Sequence, residues 1–167
     1  MVFVTVGTHE QPFDRLMREV ERLVATGELF DVVVQYGYST IVPKGCHCER
    51  LLPYAEMNRL FFEADVVVTH GGPSTFIEAI SAGRMPVVMP RRAEFGEHIN
   101  DHQVEFVRQY AERVGGIVPA YEVSDLADAV KKARAASANA AISSNNARFC
   151  EELRRLIAAP NHESLRG

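Results

Sequence analysis

The sequence predicts an α/β fold, a parallel β-sheet covered by helices on both faces. Short valine-rich runs alternate with segments whose apolar residues recur at helical spacing. The runs are almost continuously apolar, without the polar alternation of a sheet that faces water on one side. Glycine or proline punctuates the joints.

The elements read in order as follows. Val2–Val6 is a buried strand ending at Gly7. Leu16, Met17, Val20, Leu23 and Val24 form one helical face after Phe13, stopped by Gly27. Asp31–Tyr36 is a second strand, and a weaker one lies near His47–Leu51. Tyr54, Met57, Leu60, Phe61 and Ala64 repeat with helical period, and Val66–Thr69 is the next strand. Ser74–Ala82 is a short helix closed by Gly83, followed by a strand at Pro86–Met89. Ile99, Gln103, Phe106, Val107 and Tyr110 line a further helical face, and Gly116–Val118 is a short strand. A helix over Ser124–Ala136 is opened by Ser124 and Asp125. The stretch Ala135–Asn146 reads as a helix end and connection, with an amphipathic helix at Phe149–Ile157 and a frayed end at Pro160–Gly167.

A length of 167 residues suits one domain, with a core over about 1–120 and C-terminal helices over 124–159. Hydrophobic residues at 47% and charged residues at 24% are the balance of a chain with a real core. Eighteen basic against 22 acidic residues give −4, without the basic stripe of a nucleic-acid binder. No apolar run approaches the ~20 residues that span a bilayer. The apolar start lacks a basic leader, and three cysteines suit a reducing cytoplasm. Cys46-His47-Cys48 has no second ligand pair, so no metal site is expected.

Ligands of such sheets sit outside the carboxyl ends of the strands. There stands Thr69-His70-Gly71-Gly72-Pro73-Ser74-Thr75-Phe76-Ile77-Glu78, between a strand and a helix. Glycines admit a ligand close to the backbone. N–H groups at the helix start, with the helix dipole, favour a phosphate or diphosphate. Ser74 and Thr75 add hydroxyls, and Glu78, one turn on, can accept from two ribose hydroxyls. Glu97-His98-Ile99-Asn100-Asp101-His102-Gln103, after the next strand, offers groups for a sugar's hydroxyls. Singly, Gly-Gly-Pro-Ser is an ordinary turn and cap, Glu78 a solvated helix residue, and His70 a turn histidine. The ordered set is what points to a site.

That set resembles the C-terminal, nucleotide-sugar-binding domain of glycosyltransferase family 28, of the two-domain GT-B type. The matching stretches are Phe3–His9, Pro53–Met57, Ala64–Glu78, Ala82-Gly83 with Pro86, and Asn100–Gln103, covering roughly residues 1–115. In look it is similar to small subunits of bipartite UDP-sugar glycosyltransferases, those of bacterial exopolysaccharide synthesis and of the dolichol pathway. The resemblance implies a Rossmann-like domain, the C-terminal half of a GT-B fold. It implies that Gly7 and Thr8 face the diphosphate and that Tyr54 and Met57 flank the uracil. It places His70, Gly71, Gly72, Pro73, Ser74 and Thr75 on the phosphates, Glu78 on the ribose, and Asn100 and Gln103 on the donor sugar.

The chain begins at the first strand of the donor domain, whereas two-domain members carry an acceptor-binding domain before it. The implied protein is therefore a donor-binding subunit, inactive without a membrane-associated acceptor-binding partner that supplies the general base. The donor is a UDP-sugar, the acceptor a lipid-linked saccharide, and no cofactor or metal is expected. The expected place is cytoplasmic, peripheral at the inner face of the membrane through that partner. Phe149–Ile157 is either its docking element or packing on the sheet. The alternative function is a non-catalytic subunit that stabilises a partner enzyme. An epimerase of similar fold needs a full two-domain chain, against which the length speaks.

Overall fold

The computed structural model describes residues 1–139. The expected amphipathic helix at Phe149–Ile157, the connection before it and the end at Pro160–Gly167 lie outside the described residues. Six strands form one parallel sheet: β1 (Val2–Thr5), β2 (Val32–Gln35), β3 (His47–Glu49), β4 (Val66–His70), β5 (Val87–Met89) and β6 (Val118–Pro119). Their spatial order is β3-β2-β1-β4-β5-β6, so the chain winds outward from β1 one way and from β4 the other. This is the Rossmann order, whose switch point lies between β1 and β4.

Alternate residues of each strand feed opposite layers. On one face Val2, Val4, Val66, Val68, Val87 and Met89 pack on α1 (Asp14–Ala25) and α5 (Leu126–Asn139). On the other, Phe3 and Val67 meet α2 (Tyr54–Glu63) and α3 (Pro73–Ser81), and Val88 meets α3 and α4 (His102–Arg113). Phe3 and Phe61 lie edge to face with centroids 5.4 Å apart. Each fully buried valine, leucine or phenylalanine contributes about 1.5–3 kcal/mol, so the strands anchor on both sides. The strand ends are thereby held as a fixed row, on which the loops stand.

Two local readings change. Ile99, expected on the face of α4, precedes that helix and is 78% exposed. The expected opening of the last helix at Ser124 is a short 3-10 turn over Val123–Asp125. Its reciprocal cap is Glu122 with Asp125, whose carboxylate accepts from the Glu122 N–H at 3.0 Å.

Candidate functional site

A cleft of about 440 Å³ opens at the carboxyl ends of β1 and β4, at the switch point. Leu52, Tyr54 and Met57, at and before the start of α2, line it together with Gly7, Thr8 and His9 after β1 and His70, Ser74 and Thr75 after β4, with Gln35 also in the wall. Tyr54 is 73% exposed, whereas Leu60 and Phe61, on the same helix, are core. The first turn of α2 therefore faces the cleft while its second and third turns hold the sheet.

The loop after β1 is set by polar residues that end otherwise apolar strands. Thr5 donates to the Gln35 amide oxygen at 3.3 Å and accepts the Gly7 N–H at 3.2 Å. Gly7 has φ +73°, and a Cβ there would stand 2.5 Å from His70 Nε2. A Cβ at Gly72 would stand 2.2 Å from Cε1 of the same imidazole ring. Both glycines thus lie directly against the His70 ring. The room they leave on that side is filled by His70.

His70 is tied on both nitrogens. Nδ1 accepts the Gly72 N–H at 2.9 Å, and Nε2 lies 3.3 Å from Thr75 Oγ1. With Nδ1 accepting, the proton sits on Nε2 and is donated to Thr75. Thr75 is then left with its own hydroxyl proton to give to a ligand. Burial, followed by the nearby Arg91 cation and His9, pushes His70 down to about 3, so the ring stays neutral.

The opening of α3 is where donors remain. Gly72 is its N-cap, no side chain caps it, and Pro73 at the first position has no N–H. The N–H groups of Ser74 and Thr75 lack helical acceptors. Those groups, the two hydroxyls and the positive end of the helix converge on the polar side of the cleft. Glu78 lies outside the cleft lining and is exposed. It stands four residues after Ser74 and three after Thr75, hence on the same face of α3.

The segment after β5 departs most from expectation. Glu97, read as one of the groups for a sugar, is 2% exposed and has other partners. Its carboxylate takes Arg15 at 3.0 Å through both oxygens, and the Arg92 N–H at 3.0 Å. Gln103 Oε1 accepts from the Gly71 and Arg91 N–H groups at 3.0 and 3.1 Å, pinning the loop after β4 to the loop after β5. The Gln103 oxygen is therefore spent, and only its amide nitrogen is left for a sugar. Asn100 Oδ1 accepts the His102 N–H at 3.3 Å and lies 3.1 Å from His98 Nδ1. Neither Asn100 nor Gln103 is in the cleft wall.

Arg91 escapes sequence reading altogether. Its side chain is fully buried and donates to the carbonyls of Val6, Gln11, Pro12 and Glu97 at 2.8–3.3 Å. Its guanidinium also lies over the Phe13 ring at 4.8 Å. Burial pulls it down to about 10, which leaves it charged. One cation thus clamps the loop after β1 to the loop after β5. An arginine followed six residues later by a glutamate, just past a strand, was the signal available.

Cys46-His47-Cys48 lies on β3 and the turn before it. Cys48 donates to the Pro43 carbonyl at 3.3 Å, and burial pushes the Cys46 thiol up to about 11. Among the described residues no group of three or more His, Cys, Asp or Glu is placed to hold a metal ion. Nor is any of their helices long and apolar enough to cross a membrane.

A doubly wound parallel sheet with a phosphate-type helix opening at its switch point defines a Rossmann-like, nucleotide-binding class of domain. Within that class the chain belongs to the glycosyltransferase family 28 C-terminal domain family, whose model matches residues 1–158. Among solved structures it is similar to the glycotransferase of kitacinnamycin, with TM-score 0.62 and 19% identity over 92% of this chain and 39% of that one. It is similar to the calicheamicin glycosyltransferase CalG4, with TM-score 0.54, 18% identity, and 95% and 44% of the two chains covered. SnogD from Streptomyces nogalater gives TM-score 0.53 and 18% identity over 91% and 43%. The fold is that of the C-terminal half of a GT-B glycosyltransferase, and the chain spans about two fifths of the solved structures' length. No curated protein matches the sequence.

Proposed function

We propose that the chain holds the UDP-sugar donor of a two-part glycosyltransferase. A membrane-associated partner binds a lipid-linked saccharide acceptor and supplies the general base. The observation that carries the donor reading is the make-up of the cleft, lined by residues at the start of α2 and by the opening of α3. The Leu52, Tyr54 and Met57 side suits a base, and the Ser74 and Thr75 opening suits a diphosphate. Glu78, on the same face of α3, takes the ribose, and Asn100 with the Gln103 amide nitrogen reaches the donor sugar. The partner reading is supported by family membership and by the one-sided build of the cleft, whose wall comes from a single row of strand ends.

In the reaction the acceptor hydroxyl displaces UDP, and the leaving diphosphate gathers charge as the bond breaks. Fixed N–H donors and a helix dipole aimed there stabilise the transition state more than the ground state. Charge met in this way needs no metal, so turnover of the assembled enzyme should survive a chelator. The polar side of the cleft offers no carboxylate base, and a base must come within about 3 Å of the acceptor hydroxyl.

The test is reconstitution. The chain alone should bind UDP-sugar and transfer nothing, and transfer to a lipid-linked saccharide should appear when membranes carrying the partner are added. Transfer by the chain alone would refute the two-part reading. Membranes of the partner that transfer equally well without the chain would make it a stabilising subunit.

A further inference from the structure

His9 closes the matching stretch Phe3–His9, where only Gly7 and Thr8 carry a role, and it stands in the cleft wall with Gly7, Thr8, His70, Ser74 and Thr75. Its Nδ1 accepts the Gln11 N–H at 3.3 Å. The proton of the neutral ring is therefore on Nε2, and among the described residues that nitrogen has no hydrogen-bond partner. The ring packs on His98, with centroids 4.8 Å apart and planes at 55°. His98 is steadied in turn by Asn100. The two cleft histidines thus differ in kind. His70 spends both nitrogens inside the protein, whereas His9 spends one and presents the other.

We propose that His9 is a diphosphate-contacting residue, donating from Nε2 to the nucleotide's phosphate oxygens and gaining a proton when they bind. The inference rests on the UDP reading above. His9 shares the loop after β1 with Gly7 and Thr8, which the UDP reading sets on the diphosphate, whereas the residues set on the base, Tyr54 and Met57, come from α2. Four charged or titratable groups bear on the ring. In the free protein burial first, then the Arg91 cation and His98, hold His9 below the ordinary histidine range, and Glu10 opposes them weakly. His70, beside it, is neutral. An arriving diphosphate reverses the balance, because an adjacent anion favours the charged ring. The bound state therefore has the higher proton affinity. The extra binding is present below the bound-state pKa of His9 and is lost as pH rises through it.

Calorimetry on the full chain, with UDP and with uridine, tests this. His9→Phe keeps a ring for His98 and removes the donor, so UDP affinity should fall about tenfold or more while uridine affinity holds. His9→Gln keeps an N–H but cannot titrate, so it should recover part of the UDP affinity. The wild-type advantage over His9→Gln should grow as pH falls from about 8 to about 6. Comparison with this variant cancels the titration of UDP itself. Equal UDP affinity in wild type and His9→Phe would overturn the role of His9 and leave the UDP reading standing. A parallel loss for uridine would overturn it too, since His9 would then act by holding the fold. A pH-independent advantage over His9→Gln would remove the proton uptake. A wild-type chain that binds uridine but not UDP, or neither, would overturn both readings.

Discussion

The loop after β4 and the loop after β5 stand side by side on the same edge of the sheet and are built from the same kinds of residue, yet they are opposites. The first, His70–Thr75, ends with uncapped N–H groups and hydroxyls turned to the cleft. The second, Arg91–Gln103, turns its charge inward: Glu97 meets Arg15, Arg91 meets four carbonyls, and the Gln103 oxygen meets two N–H groups. Polar residues past a strand do not make a site by their chemistry alone. What separates site from scaffold is whether their hydrogen bonds are already made. Here the saturated loop holds the unsaturated one in place, with Gln103 as the joint.

The largest effect should come from the saturated loop. Arg91→Met leaves the carbonyls of Val6, Gln11, Pro12 and Glu97 without their shared donor, while Glu97 keeps Arg15. Removing one partner from a buried charged network costs about 3–5 kcal/mol. Thermal unfolding should register that loss, and a change within about 0.5 kcal/mol would show that the clamp holds nothing.

Glu78→Gln should do the reverse. The residue is exposed, so stability should stay within about 0.5 kcal/mol of wild type. A charge-assisted hydrogen bond contributes about 1.5–3 kcal/mol, so UDP affinity should fall roughly ten- to a hundredfold. Unchanged binding would remove Glu78 from the site.

Gly72→Ala acts within the first of the two loops. Its Cβ would intrude on the His70 ring. Overpacking of this kind costs about 1–3 kcal/mol. The cost should shrink in a His70→Ala background, and a double-mutant cycle reads the coupling directly. Additive effects would mean that the glycine answers to something other than the imidazole.

These contrasts also mark what the sequence made legible. Valine runs and helical spacing located the six strands, and the Gly-Gly-Pro-Ser turn located the helix opening at the switch point. Both signals are local, written within one or two turns of chain. The buried clamp was not legible, because Arg91 finds its acceptors at Val6 and Gln11, some eighty residues away in sequence. Glu97 looked like a surface acid for the same reason, since Arg15 reaches it from α1. Nor does sequence say which way a loop points its hydrogen bonds. Hence Gly72 could be read as space for a ligand when His70 fills it, and His9, within the matching stretch, received no role beside Gly7 and Thr8.

The central claim is that a UDP nucleotide occupies the cleft between the ends of β1 and β4. Amide NMR of the full chain titrated with UDP tests it most directly. The account predicts saturable shifts at Gly7, Thr8, His9, Ser74, Thr75, Glu78, Tyr54 and Met57, with uridine moving Tyr54, Met57 and Glu78 but not Gly7, Thr8 or His9. Saturable shifts that fall elsewhere on the domain, or none at all, would contradict it.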